Sequence, residues 1–516
     1  MSNATVATVI FGGFMVVTVA LGLLAVRGRG GGQGGLAEWS VGGRSLGAVF
    51  IWVLMAGESY TSFSYLGAAG WGYNYGAPVL YVVAYLSCGY AVGYLVGPML
   101  HAYARRHGLV GITDMVAHRY GRPWAGALVA VLASVCLLPY IQLQITGMGV
   151  VVSTISYRAI SLNWAYFVAF AVTTGFVVVS GLRGSAWVSA LKDLLVIGTL
   201  AFLAVYVPLH YFHGYGDFLD RLVDSKREWL TLPGHGGADS GLGTGWFIST
   251  SLLNSLTVVI FPTTVAGYLG ARDGDALRRN AIWLPAYNVL LFVPMLLGMA
   301  ALFVVPGLTG AGSNLALFKL VVDSLPAWAV GVIGVAAALS SIVPMAVFML
   351  VIGTMWGRSV LSLVPRWRER QKLASQTVVV VAGVLALLLT YTVPNTLVRL
   401  SLISYEGMAQ FVPMLLLGLV WRRFTLTAAL SGLAVGGVLV CWLVFSERDP
   451  VFGVNAGLVA LAANLVVAVA VAYAGAGGRD GRFGRFGRFG RDARNDARPD
   501  SDVLAELMPA PEARPR

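Results

Sequence analysis

Charge is what this chain lacks most. Of its 516 residues, 11% are Asp, Glu, Lys or Arg, whereas a soluble domain carries about 25%. So few charged groups cannot cover a solvated surface, and a soluble globular class is excluded. Cysteine is scarcer still. Cys88, Cys136 and Cys441 each lie inside an apolar run, which leaves neither a disulfide framework nor a C-x-x-C metal or redox site; they read as small buried hydrophobes. All six histidines (His101, His107, His118, His210, His213 and His235) fall in loops or at the ends of apolar runs, so a buried histidine proton relay is not expected. The absence of Walker A and H-E-x-x-H, and of G-x-S-x-G in a suitable setting, argues against an ATP-driven pump or a membrane hydrolase. No enzymatic activity is expected.

What the chain has instead is hydrophobic residues, at 57%, with a mean hydropathy of +0.77. Crossing about 30 Å of hydrocarbon takes around 20 helical residues. Thirteen runs qualify, near 5–26, 46–69, 77–103, 124–154, 160–181, 187–209, 244–270, 281–306, 327–355, 375–395, 398–420, 426–446 and 452–474. The first has no basic segment before it and does not read as a signal peptide. Lys and Arg accumulate on the cytoplasmic side of a membrane protein, and with the N-terminus outside, 28 of the 35 fall there. The expectation is an all-α polytopic protein of the plasma membrane with about 13 transmembrane helices, N-terminus out and C-terminus in. The formal charge of +12 is then topological, and the lipid bilayer rather than nucleic acid is the expected partner. Oligomeric state is not legible.

Two soluble segments stand apart. The loop 210–243 carries Asp217, Asp220, Asp224, Glu228 and Asp239 and reads as a solvated connector or a short amphipathic helix over the outer vestibule. Residues 478–516 open on an Arg-Phe-Gly repeat and pass into a polar end, too poor in aliphatics to fold. They are expected to be a disordered cytoplasmic tail.

Ionisable residues within the bilayer are functional candidates, and here they are Glu58, Lys192, Asp193 and Glu406. So few charges among so many spans point to secondary transport. A transporter needs breaks in its helices, where freed carbonyls hold a cation and freed N–H groups an anion. Span two breaks at Gly57-Glu58-Ser59 and continues through the hydroxyls of Thr61, Ser62 and Ser64; span seven breaks at Pro262, with Thr263 beside it and Asn254 before it. The two breaks start five spans apart, the interval of two five-helix repeats inserted in opposite orientations. The organisation expected is an extra helix at 1–26, a first repeat at 46–209, an inverted second repeat at 244–420, two added helices at 426–474, and the tail. In span nine, Ser340 and Ser341 lie one turn from Ala337, so two hydroxyls and a carbonyl can converge as hard oxygen ligands. Serines in such helices also bond back to the carbonyl one turn earlier.

Gly57 to Gly70, GWGYNYGAP, GLRGSAWVSALKDLL, FPTTVAGYLGARDGDALRRNAIWLPAYN and A-x-x-S-S together resemble the sodium/solute symporter family from about Trp39 to Gly436. GWGYNYGAP and RRNAIWLPAY are most similar to its monocarboxylate-permease branch. The resemblance implies a LeuT-type fold and a sodium-coupled importer of a small organic solute working by alternating access. It implies a monocarboxylate or related organic acid as solute, with an amino-acid or vitamin carrier of the same fold as the alternative. Na⁺ as coupling ion is the only cofactor implied. The family's sodium site would fall on the carbonyls of Gly57, Tyr60 and Ala337 and the hydroxyls of Ser340 and Ser341, with Asp193 receiving the ion on release. None of the five sodium ligands titrates near neutral pH, which suits Na⁺ better than H⁺. The solute region would be bounded by Thr61, Ser62, Ser64, Tyr140, Gln144, Asn254, Pro262, Thr263, Tyr405 and Gln410. Two residues depart from the pattern: the branch usually has a histidine where this chain has Thr263, and Glu58 is not a feature of the family's best-known members. Glu58 is expected to cap N–H groups freed by the break; receiving a proton, as in a proton-coupled carrier, or repelling anionic solutes are the alternatives. A transporter-like sensor or scaffold signalling through the tail is the reading from another class.

Overall fold

Hydrocarbon offers backbone amides no partner, so a chain this apolar closes its hydrogen bonds within helices. The computed structural model describes residues 2–27, 48–368 and 370–477; the loop 28–47 and the Arg-rich tail expected at 478–516 lie outside the described residues. Among the described residues there are helices and turns but no strand, beyond one isolated bridge between Val451 and Val454.

Among the described residues, eleven helices are long and apolar enough to span a membrane, and a bent pair, Gly237–Val258 with Pro262–Gly270 at 41°, brings the number to twelve. The expected thirteen therefore do not appear as thirteen continuous helices. The apolar run at 46–69 is present as two pieces, α2 (Ala48–Ser59) and, after a π-helical turn at Phe63–Gly67, α3 (Ala68–Asn74). Both broken runs are the ones in which the sequence places interruptions.

The remaining elements that frame the site follow in order. α1 (Asn3–Arg27) precedes the break, and α4 (Tyr81–His107) and α5 (Pro123–Ile155) follow it. A continuous stretch Leu162–Phe212 turns sharply at Gly181, whose φ of 58° and ψ of −159° suit a residue without Cβ; its halves are α6 (Leu162–Val179) and α7 (Trp187–Phe212). α8 (Thr244–Val258) and α9 (Pro262–Gly270) form the bent pair, followed by α10 (Gly274–Asn288) and α11 (Phe292–Val304). α12 (Ala327–Met355) is the central post. It packs against α1, α5, the Leu162–Phe212 stretch and α13 (Gln371–Thr392), which is why its apolar window is wholly buried. α14 (Leu397–Ala409), α15 (Leu426–Phe445) and α16 (Ala456–Gly477) complete the bundle.

Small residues set the closest crossings, as expected where helices cannot rely on hydrophobic segregation. A Cβ on Gly298 of α11 would lie 2.0 Å from the Ala69 carbonyl oxygen of α3. Within the loop 210–243, Tyr215–Ser225 forms a short amphipathic helix that buries Phe218 and Leu222. The loop then holds the end of α3: the Trp229 indole N–H donates to the Tyr73 carbonyl at 2.9 Å and the His235 amide donates to the Tyr75 carbonyl at 3.0 Å.

Candidate functional site

A broken helix frees backbone groups that must find new partners in a low-dielectric interior. In the break after α2 those partners are hydroxyls. Ser64 Oγ donates to the Ser59 carbonyl at 2.5 Å and accepts from the Thr61 amide at 2.9 Å, while the Phe63 amide donates to Thr61 Oγ1 at 3.1 Å. The Ser62 amide reaches across to Gln144 Oε1 of α5 at 3.4 Å. The capping role expected of Glu58 is thus carried by Thr61, Ser64 and Gln144. Glu58 lines a cavity together with Thr263, and its Oε1 has no hydrogen-bond partner.

The carbonyls of Gly57 and Tyr60, expected to hold Na⁺, both accept from the Lys192 ammonium of α7, at 3.1 Å for Tyr60. Lys192 is fully buried and pairs with Asp193 at 3.2 Å. In α12, Ser340 Oγ donates to the Ala336 carbonyl at 2.9 Å, the back-bond its helical setting favours. Ser341 Oγ lies 3.4 Å from the Ala337 carbonyl and 2.5 Å from Ser62 Oγ. The structure therefore joins α2, α5, α7 and α12 around the break. In this arrangement two of the expected carbonyls hold the Lys192 ammonium, and Ser340 is turned to its own helix.

The second break, at Val259 to Phe261, has the same neighbourhood. A small cavity of about 40 Å³ lies between the two breaks. Its wall is aromatic: Tyr85 and Tyr90 of α4, Tyr140 of α5, Phe261 at the second break, Phe348 of α12 and Tyr405 of α14. Phe261 stacks on Tyr405 at 4.8 Å between ring centroids, and Tyr140 lies 4.5 Å from Phe348. Thr263 and Ser59 add hydroxyls, and Glu58 is the one acidic side chain in the lining.

Of the residues expected to bound the solute, Tyr140, Thr263 and Tyr405 line this cavity. Thr61, Ser62, Ser64 and Gln144 secure the break. Pro262 faces a separate hollow beside Asp114 and Arg358. Asn254 is buried without lining the cavity, and its side-chain oxygen lacks a hydrogen-bond partner. Gln410 belongs to a different network, donating to the carbonyls of Glu406 and Gly457 at 3.2 Å and accepting from Asn464 at its carbonyl at 2.8 Å. Tyr85, Tyr90, Phe261 and Phe348 were not foreseen. Tyr81 and Tyr85 do repeat at a four-residue interval, the spacing of one helical face, but a membrane helix shows such aromatics for many reasons.

The chain is 34% identical over 478 residues to the uncharacterized symporter YhjB of Bacillus subtilis, covering 90% of this chain and 96% of that one. It is 27% identical to a monocarboxylate transport permease of Rhizobium johnstonii, covering 91% and 96%, and 26% identical to the sodium/pantothenate symporter of Escherichia coli, covering 83% and 88%. Its fold superposes on a substrate-bound, outward-open Na⁺-coupled sialic acid symporter with a TM-score of 0.72 at 14% identity, covering 91% of this chain and 97% of that one. A nucleobase-cation-symport-1 transporter matches with a TM-score of 0.56 at 16% identity, covering 85% and 95%. The profile of the sodium:solute symporter family spans residues 39–436, and with it the chain is a multi-pass membrane transporter, not an enzyme, that belongs to the sodium:solute symporter family.

Proposed function

We propose that the chain is a sodium-coupled importer of a small organic solute that works by alternating access, one helical bundle rocking against the rest. The observation that carries this reading is the placement of both helix breaks on one cavity, with Glu58 and Ser59 at one and Phe261 and Thr263 at the other. Breaks facing a shared cavity near mid-bundle are how such carriers build a solute site. Two inverted five-helix repeats, 46–209 and 244–420, with the N-terminus outside, are part of the same proposal. Membership of the family supports Na⁺ as the driving ion.

The lining also bears on the solute. A monocarboxylate, the class implied by resemblance to the permease branch, would meet the Glu58 carboxylate in a cavity with no basic side chain in its wall. A solute with an amine suits the wall better, its ammonium against Glu58 and its body against tyrosine and phenylalanine faces, which attract cations. We therefore place amino acids and related amine-bearing solutes ahead of simple carboxylates. Uptake by proteoliposomes of radiolabelled amino acids, other amines and monocarboxylates, with and without a Na⁺ gradient, tests both parts. Accumulation of a carboxylate with no amine counted among the transported solutes would overturn the solute assignment.

A further inference from the structure

We propose that the Lys192 ammonium and the mobile coupling cation compete for one position, so that Lys192 is a tethered cation of this carrier. Three contacts place it there. Lys192 Nζ donates to the carbonyls of Gly57 and Tyr60, which flank the end of α2, and pairs with Asp193 at 3.2 Å. An ammonium has three donors; the two carbonyls take two of them, and Asp193 stands at ion-pair distance. One turn earlier on α7, Ser189 Oγ donates to the Val53 carbonyl at 3.1 Å, so α7 is fastened to α2 along a continuous edge.

The approach depends on Gly57. A Cβ there would lie 1.9 Å from Ser189 Oγ and 3.4 Å from Lys192 Nζ, closer than any side chain tolerates at the first contact. The break thus presents two carbonyls to a fully buried amine, and a small cation seeking those lone pairs must take the place of Nζ. When Nζ holds them, the carbonyls are satisfied and α2 is tied to α7 without a mobile ion. When a mobile ion holds them, Lys192 retains only Asp193. Two ligands that exclude each other are coupled reciprocally, so the ammonium sets the concentration at which the mobile ion binds. This inference rests on the symport reading only for the identity of that ion.

The test uses full-length protein purified in detergent, without solute. Its melting temperature is followed along a NaCl series balanced with KCl, since a ligand of the folded state raises stability by mass action. Lys192→Met and Lys192→Gln, the second keeping a donor at the carbonyls, are expected to respond to Na⁺ at concentrations about tenfold or more below those the wild type needs. Lys192→Met/Asp193→Asn is expected to retain a Na⁺-specific response, because the carbonyls remain. Folded single variants with an unchanged or weaker response would overturn the proposal. So would a response lost in the double variant, which would make Na⁺ a mere counter-ion of Asp193. No solute enters the assay, so a tightened Na⁺ response in a chain that transports nothing would refute the proposed function and leave this inference standing.

Discussion

Glu58→Gln isolates the claim about the solute, because it replaces the carboxyl group that would pair with an ammonium while keeping the shape of the cavity. Two unit charges about 4 Å apart attract by about 4 kcal/mol at an effective dielectric constant of about 20. Part of that is offset by stripping water from the incoming ammonium. A net loss of about 2 kcal/mol is left for an amine-bearing solute, which corresponds to a KM raised roughly 30-fold. The assay is initial-rate uptake into proteoliposomes at saturating NaCl, across a solute series, for wild type and variant. An uncharged analogue of the transported solute should show little change, since the rings that contact its body are untouched. A variant that transports the amine with the wild-type KM would refute the reasoning and remove Glu58 from the site.

Other substitutions probe the scaffold. Gly57→Ala puts a Cβ 1.9 Å from Ser189 Oγ and is expected to destabilise the protein by about 1–3 kcal/mol; the melting temperature should recover in Gly57→Ala/Ser189→Ala, where the clashing oxygen is gone. Ser341→Ala deletes the 2.5 Å contact with Ser62 and, at about 1 kcal/mol for a hydrogen bond, should raise the NaCl needed for half-maximal uptake about fivefold. Ser340→Ala, which loses only a back-bond to Ala336, should shift it less. Glu406→Ala leaves Asn455 Nδ2 without its 3.0 Å partner and is expected to lower stability by about 2 kcal/mol while leaving solute KM unchanged, as melting curves and uptake kinetics would show.

The sequence made the bundle and its two breaks legible because both rest on local signals. Apolar runs of the right length forecast spans, and Gly57-Glu58-Ser59 and Pro262 forecast interruptions. The cavity wall was less accessible. Tyr140 and Tyr405 could be placed by span, but Tyr85, Tyr90 and Phe348 face the cavity only because of how α4 and α12 rotate against their neighbours, which no local pattern encodes. Lys192 shows the same limit at the ion site. It stood out in the sequence as an intramembrane charge beside Asp193, yet its contact with the Gly57 and Tyr60 carbonyls, 135 and 132 residues away, depends on α7 lying against α2. Gln410 shows the converse: a polar residue in the right span that is committed to Asn464 and Gly457.

The most direct test of the central claim is solute accumulation by proteoliposomes under an inward Na⁺ gradient, with the proton gradient collapsed by an ionophore. The account predicts transient accumulation of an amine-bearing solute above its external concentration, abolished when the Na⁺ gradient is dissipated. Solute levels that never exceed equilibrium under any imposed Na⁺ gradient would contradict it.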